Sequence, residues 1–248
     1  MHFLFLFLVT LLQSPGAIAG EIIGGHESQP HSRPYMAYLT YRIGNRVNRC
    51  GAFLIRQDFV LTAAHCMGSF MSITLGAHNI KVPEATQQKI PVAKVIPYLG
   101  YNRFTHQNDI MLLKLQRNAT LNRYVQLLPL PKMKFLKPGM KCTVAGWGAN
   151  HNLQLQDKLH EVELQIRNDQ DCMHKYPRMY NRFNQICAGN PMEKKASFKS
   201  DSGGPLVCDG VAQGIVSCGK TDGSNPRIYT RISTFTSWIH KTVNAPNY

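Results

Sequence analysis

From residue 22 onward the apolar positions come in short runs broken by Gly, Pro and Asn. That pattern belongs to half-buried strands joined by turns, not to the 3.6-residue stripe of amphipathic helices. Strands are predicted at Met36–Tyr41, Ala52–Ile55, Phe59–Thr62, Ser72–Leu75 and Ile110–Leu115 in the first half. In the second half they are predicted at Lys141–Ala145, Lys158–Ile166, Leu206–Val207, Gly214–Val216 and Ile228–Thr230. Gln126–Pro138, rich in Pro, Leu and Lys, joins two halves of similar size, and no internal repeat is visible. Only Ser233–Val243 carries a helical pattern, with Phe235, Trp238 and Ile239 on one face and Ser233 or Thr234 as cap. The expectation is an all-β protein with one C-terminal helix.

The first residues differ. Phe3–Leu12 is almost wholly apolar and Ala17-Ile18-Ala19 supplies the small residues a signal peptidase accepts, so residues 1–19 read as a secretory signal, with only His2 in its n-region. As a membrane anchor the run is too short to span comfortably, and no later stretch is a transmembrane candidate. Export or storage in a secretory compartment follows. There, seven cysteines imply disulfides and one thiol left over.

Composition adds less. With 248 residues the chain has one or two domains and buries a substantial core. Its 19 glycines, 14 prolines and 17% charged residues describe a turn-rich globular protein without disorder. The net charge of +14 is spread over Arg42, Arg46, Arg49, Lys132, Lys134, Lys137, Lys141, Lys194, Lys195 and Lys199. Such a surface suits a sulfated glycosaminoglycan or an anionic membrane in the secretory pathway better than nucleic acid, and no stretch is dense enough to exclude a merely solubilising role. Asn118-Ala119-Thr120 is a glycosylation sequon, a hint of a surface loop. The histidines are scattered and no pair has ligand-like spacing beside a carboxylate, so neither metal nor cofactor is expected.

Three fragments carry chemistry. Ser200-Asp201-Ser202-Gly203-Gly204 precedes an apolar strand and fits a serine exposed on a tight turn whose N–H groups face a reacting carbonyl. Leu61-Thr62-Ala63-Ala64-His65-Cys66 places a histidine at a strand end, and Asn108-Asp109-Ile110-Met111-Leu112-Leu113 places an aspartate at the mouth of another. A serine hydroxyl needs a base, and that base needs a carboxylate to fix its tautomer. Each fragment alone is a weak signal. Together, in the order His, Asp, Ser, they are a strong one.

With these go Ile22-Ile23-Gly24-Gly25-His26-Glu27, Pro30-His31-Ser32-Arg33-Pro34-Tyr35-Met36-Ala37, Leu75-Gly76-Ala77-His78-Asn79-Ile80, Val144-Ala145-Gly146-Trp147-Gly148 and Val211-Ala212-Gln213-Gly214-Ile215-Val216-Ser217. Over Ile22–Tyr248 the chain resembles a trypsin/chymotrypsin-type serine protease, and more closely the granzyme and mast-cell protease group. The resemblance implies two antiparallel six-stranded β-barrels, roughly residues 22–125 and 136–232, a helix at 233–243 and an active site between the barrels. His65 becomes the general base, Asp109 its orienting acid and Ser202 the nucleophile, with Ser200 and Ser202 supplying the oxyanion-hole N–H groups. It also implies disulfides Cys50–Cys66, Cys142–Cys208 and Cys172–Cys187, leaving Cys218 as a quiet buried thiol or one that pairs between chains.

Activation and specificity are implied in the same way. Gly20-Glu21 resembles the two-residue propeptide that a dipeptidyl peptidase removes, freeing the Ile22 ammonium to bury itself against Asp201. Ser217-Cys218-Gly219 matches the strand that pairs with a bound peptide. Ala196 and Ser197 form the pocket floor, and Ala196 stands where tryptic enzymes carry an acid. Asn225-Pro226-Arg227 resembles a granzyme segment whose arginine enters the pocket, which favours an acidic P1 side chain; with Arg227 turned outward the pocket takes Phe, Leu or Met. The implied partners are protein substrates and serpin-type inhibitors. Ser200 departs from the family's Gly, which leaves two readings: an endopeptidase of reduced or altered activity, or an azurocidin-like homologue that acts mainly by binding.

Overall fold

The computed structural model describes residues 22–132, 136–149, 154–197 and 200–246. The expected signal segment and the Gly20-Glu21 dipeptide lie outside these residues, as do Lys134 and Lys199.

The first half closes into a six-stranded antiparallel barrel. Its strands are β2 (Met36–Ile43), β3 (Arg46–Arg56), β4 (Phe59–Thr62), β5 (Ser69–Leu75), β6 (Gln88–Pro97) and β7 (Met111–Leu115), in the order β2-β3-β4-β7-β6-β5. Along β2 the buried Met36, Ala37, Leu39 and Tyr41 are interleaved with the partly exposed Tyr38 and Thr40. In β4 every side chain is buried. Phe53, Phe59, Leu61 and Ile73 are wholly buried within it, each contributing about 1.5–3 kcal/mol by leaving water.

The second half contains β8 (Lys141–Gly146), β9 (His160–Gln165), β10 (Gln185–Ala188), β11 (Pro205–Cys208), β12 (Val211–Cys218) and β13 (Arg227–Arg231), in the order β9-β8-β11-β12-β13-β10. The Ile166–Ala188 bridge, with Arg167 N–H donating to the Cys187 carbonyl at 2.8 Å, joins the two ends of this sheet and makes the second barrel. Helix α1 (Asp169–Lys175) lies on the connection from β9 to β10.

The two barrels exchange their termini. Strand β1 (His26–Glu27) belongs by sequence to the first half, yet it pairs with β9, matching His26 to Glu161 and Glu27 to His160. The range 22–125 is corrected on this point: its first residues belong to the second sheet. At the other end helix α2 (Thr236–Val243) packs Phe235, Ile239 and Val243 into the first barrel's core, with Tyr98 edge-on to Phe235 and Trp238. The single helix expected from residue 233 is split. A 3-10 turn at Ile232–Thr234 precedes α2, and Phe235 takes the N-cap position without a side-chain bond, so neither Ser233 nor Thr234 caps it. Among the described residues no helix is long and apolar enough to cross a membrane.

Candidate active site

At the end of β4 the chain tightens into a 3-10 turn, Ala64–Cys66, and Cys66 is bonded to Cys50 on β3. Ala64 and Cys66 are wholly buried, whereas the His65 side chain keeps 22% of its surface exposed. Anchored on both sides, the imidazole turns Nδ1 toward Asp109 and stacks edge-on to His106.

Asp109 enters just before β7 and is fully buried. Its Oδ1 accepts from the His65 backbone N–H at 2.9 Å, and its Oδ2 lies 2.7 Å from His65 Nδ1. The second barrel supplies the remainder: the Ser217 hydroxyl donates to Oδ2 at 2.6 Å, and the Thr230 hydroxyl to the Asp109 carbonyl at 2.8 Å. Burial pushes this carboxyl up, but His65, His106 and Ser217 outweigh it and hold it well below the ordinary carboxylate range. The result is a fixed anion that keeps the Nδ1–H tautomer of His65 and leaves Nε2 as an acceptor.

The serine loop is wedged against the same strands. The Ser202 carbonyl accepts from Gly51 N–H on β3 at 2.8 Å and lies 3.8 Å from Cys66 Sγ. Gly203 has φ +82°, and a Cβ there would meet Thr62 Oγ1 at 2.1 Å and the Gly51 carbonyl at 2.4 Å. Only glycine permits that approach, which carries Ser202 to the wall bearing His65. Ser202 itself is half-buried. Ser200 has φ +71°, a left-handed conformation that costs an L-residue about 1–2 kcal/mol.

Between these serines, Asp201 is fully buried and its Oδ1 accepts from Gly148 N–H at 3.0 Å. A Cβ on either Gly146 or Gly148 would strike that oxygen at 2.3 Å, so the carboxylate occupies a cradle that glycine alone allows. Ile22 is fully buried in the second barrel's core, and the Ile23 carbonyl accepts from Ala196 N–H at 2.9 Å. The N-terminal segment is thus bound to the loop that leads to Ser202.

The residues expected to line a substrate pocket come next. Ala196 and Ser197 are buried, and the Ser197 and Tyr229 hydroxyls are hydrogen bonded at 3.0 Å. The β11 pairing of β12 ends at Ile215, leaving Ser217, Cys218 and Gly219 to run on past it. Arg227 is 8% exposed; its Nη1 donates to the Lys220 carbonyl at 3.1 Å, while Nε has no hydrogen-bond partner. A Cβ at Gly219 would approach the guanidinium carbon to 2.6 Å, so this position also holds the arginine's space open. Nearby, burial together with the charges of Lys220 and Arg227 brings the Lys175 ammonium down to about 8 despite Asp222. Positive charge accumulates here without an ion-paired carboxylate for Arg227 among the described residues.

The other two disulfides link Cys142 to Cys208 and Cys172 to Cys187, and Cys218 is free, its thiol pushed up to about 11 chiefly by burial. Asn118 is exposed on the turn after β7. Sequence reasoning missed Thr230, His106 and the Gly146–Gly148 cradle. Of these, His106 could have been found from its place three residues before Asp109, and the glycines from their spacing around Trp147. Nothing local marked Thr230.

Residues 22–239 match the family described as Trypsin. Mast cell protease 3 of Ovis aries is 55% identical over 242 residues, covering 97% of this chain and 96% of its own. Granzyme B of Homo sapiens is 53% identical over 240 residues, covering 96% and 97%. A solved structure, "Structure of GrC", superposes with a TM-score of 0.88 at 54% identity over 90% of this chain and 100% of its own. The groove between the barrels therefore belongs to a trypsin-family serine endopeptidase, related to the granzymes and mast-cell proteases.

Proposed function

We propose that this protease cleaves peptide bonds after acidic residues through an acyl-enzyme on Ser202. His65 Nε2 takes the hydroxyl proton and returns it to the leaving amine, while Asp109 stabilises the imidazolium that forms between. The Ser200 and Ser202 N–H groups bind the developing oxyanion. Substrate backbone pairs with Ser217–Gly219, and its P1 side chain enters between Ala196, Ser197 and Gly219 to meet Arg227. Trimming by a dipeptidyl peptidase to Ile22 switches the stored enzyme on. The exposed Arg42, Arg46, Arg49, Lys194 and Lys195 suit storage on a sulfated glycosaminoglycan in a secretory granule, and serpin-type inhibitors fit the same cleft. Asn118 is the proposed glycan site.

Arg227 carries the specificity reading. A buried guanidinium with an unpartnered Nε and no carboxylate awaits an anion, since leaving it unpaired is costly. The expected result in a peptide library is Asp or Glu at P1, with Arg227→Gly losing that preference by about ten- to a hundred-fold, the worth of one charge-assisted hydrogen bond. A wild-type profile dominated by Phe or Leu contradicts it.

Ser200 sets a second expectation. Its N–H is retained, so the penalty is smaller than the hundred- to thousand-fold loss of a whole oxyanion donor. Relieving the left-handed strain with Ser200→Gly should raise kcat/KM by about three- to tenfold, mostly in kcat, because the contact strengthens in the transition state. The comparison is made on active-site-titrated enzyme, and equal rates would show that the hole accommodates serine.

A further inference from the structure

Three large apolar side chains at one end of the first barrel stand in water: Ile43 and Val47 are each 59% exposed and Phe70 is 81% exposed. Strands β2 and β3 meet there in a tight hairpin, with Ile43 opposite Arg46 and Arg42 opposite Val47. A Cβ added at Gly44, in the turn between them, would meet nothing within 4 Å, so the tip stands clear of the body. Strand β5 runs beside β2, with Ser69 opposite Arg42, and brings Phe70 to the same end. The backbone under that ring is closely packed. A Cβ on Gly68 would meet the Arg42 carbonyl at 2.5 Å, and the Ser69 hydroxyl donates to the same carbonyl at 3.3 Å. Phe70 follows at φ +50°, a left-handed conformation uncommon for a bulky residue. The turn therefore holds an aromatic ring outward.

Cations surround these side chains. Direct opposition and the strand pleat put Arg42, Val47 and Arg49 on one face of the hairpin. The Arg42 guanidinium lies 5.5 Å from the centre of the Phe70 ring. A hollow of about 310 Å³ opens between Arg42, Val47, Phe70 and Lys89, and no carboxylate lines it. Among the described residues none of Arg42, Arg46, Arg49 and Lys89 forms an ion pair. Apolar groups kept in water and ringed by unpaired cations have the composition of a membrane-interface site.

We propose that this hairpin and Phe70 dock the protease on an anionic lipid surface. Ile43, Val47 and Phe70 enter the boundary between headgroups and acyl chains, and Arg42, Arg46, Arg49 and Lys89 bind the lipid phosphates. The long Arg and Lys stems lie along the apolar surface while their charged heads stay among the headgroups. A sulfated sugar chain meets the same arginines through charge alone and gives the three apolar side chains no partner. Those side chains decide for lipid. None of these residues belongs to the triad, the oxyanion hole or the Arg227 pocket, so docking does not depend on the cleavage reading.

The test mixes trimmed protein with phosphatidylcholine vesicles, with and without phosphatidylserine, and measures cosedimentation at rising salt. Binding is expected only where phosphatidylserine is present, and it should weaken with salt as the attraction is screened. Phe70→Ser, and Ile43→Ser combined with Val47→Ser, should each weaken vesicle binding by about tenfold, part of the worth of burying a large apolar side chain. Their elution from heparin and their cleavage of soluble peptides should match the wild type, with folding checked by near-UV circular dichroism. Arg42→Gln combined with Arg46→Gln should weaken both vesicle and heparin binding. No binding to phosphatidylserine vesicles at low salt overturns the docking site. Vesicle binding that survives both apolar variants and falls only with the arginine pair also overturns it, and leaves a polyanion surface of the heparin kind. The vesicle arm needs no turnover, so docking is read independently of whether Ser202 cleaves peptides.

Discussion

Asp109→Asn is expected to lower kcat by about four orders of magnitude, the cost of a wrong tautomer in a Ser-His-Asp triad. The direction follows from one rigid donor. The His65 backbone N–H points at Oδ1 from 2.9 Å and must find an acceptor there, so the asparagine carbonyl takes that place. Its NH2 group then faces His65 Nδ1, where the carboxylate had stood at 2.7 Å. Two donors cannot meet, and the imidazole moves its proton to Nε2, the position that must accept from Ser202. The Ser217 hydroxyl does not resist, because it can turn and accept instead. KM should change far less than kcat, with the fold intact by near-UV circular dichroism. A loss of tenfold or less would show that Asp109 does not set the tautomer.

Protein beginning at Gly20 is expected to be inactive and protein beginning at Ile22 active, with at least a hundredfold between them. Asp201 sits in a cradle of Gly146 and Gly148 with its charge out of water, and the N-terminal segment is already tied to Ala196 of the same loop. A peptide-linked Ile22 carries no charge, and the ammonium created by trimming is expected to pair with this buried carboxylate. Breaking such a pair from one side costs about 3–5 kcal/mol, which is roughly two to four orders of magnitude in the population of ordered loop. Asp201→Asn in trimmed protein should therefore lose activity by that factor. Equal turnover by both N-terminal forms would remove the pairing from the mechanism.

The chemistry was more legible than the architecture. His65, Asp109 and Ser202 stand in short motifs whose local chemistry is one-dimensional: a strand end, a turn, a glycine pair. Strand β6 is hard to read from sequence because Pro91 and Pro97 demote a run to an edge or a loop, yet Pro91 sits opposite Ser72 in a closed barrel. Strand β10 is short and opens on the polar Gln185, fully buried, whose place only the pairing with β13 decides. Helix α1 had its signals, acids in the first turn and His174 and Lys175 in the last, but no apolar stripe to draw attention to them. The bonds from Ser217 and Thr230 to Asp109 join residues more than a hundred positions apart, and no local pattern encodes them. The exchange of β1 and α2 between barrels is of the same kind: each short element completes a core that its own neighbours in sequence have left open.

The central claim is that Ser202 is a nucleophile activated by His65 and Asp109, and a fluorophosphonate probe reads it directly. Protein trimmed to Ile22 is exposed to the probe, digested and sequenced by mass spectrometry. The account predicts one label per chain on Ser202, none after Asp109→Asn over the same minutes, and none on protein that still begins at Gly20. A trimmed, folded protein that leaves Ser202 unlabelled, or carries the probe on another serine, would contradict it and favour a homologue that works by binding.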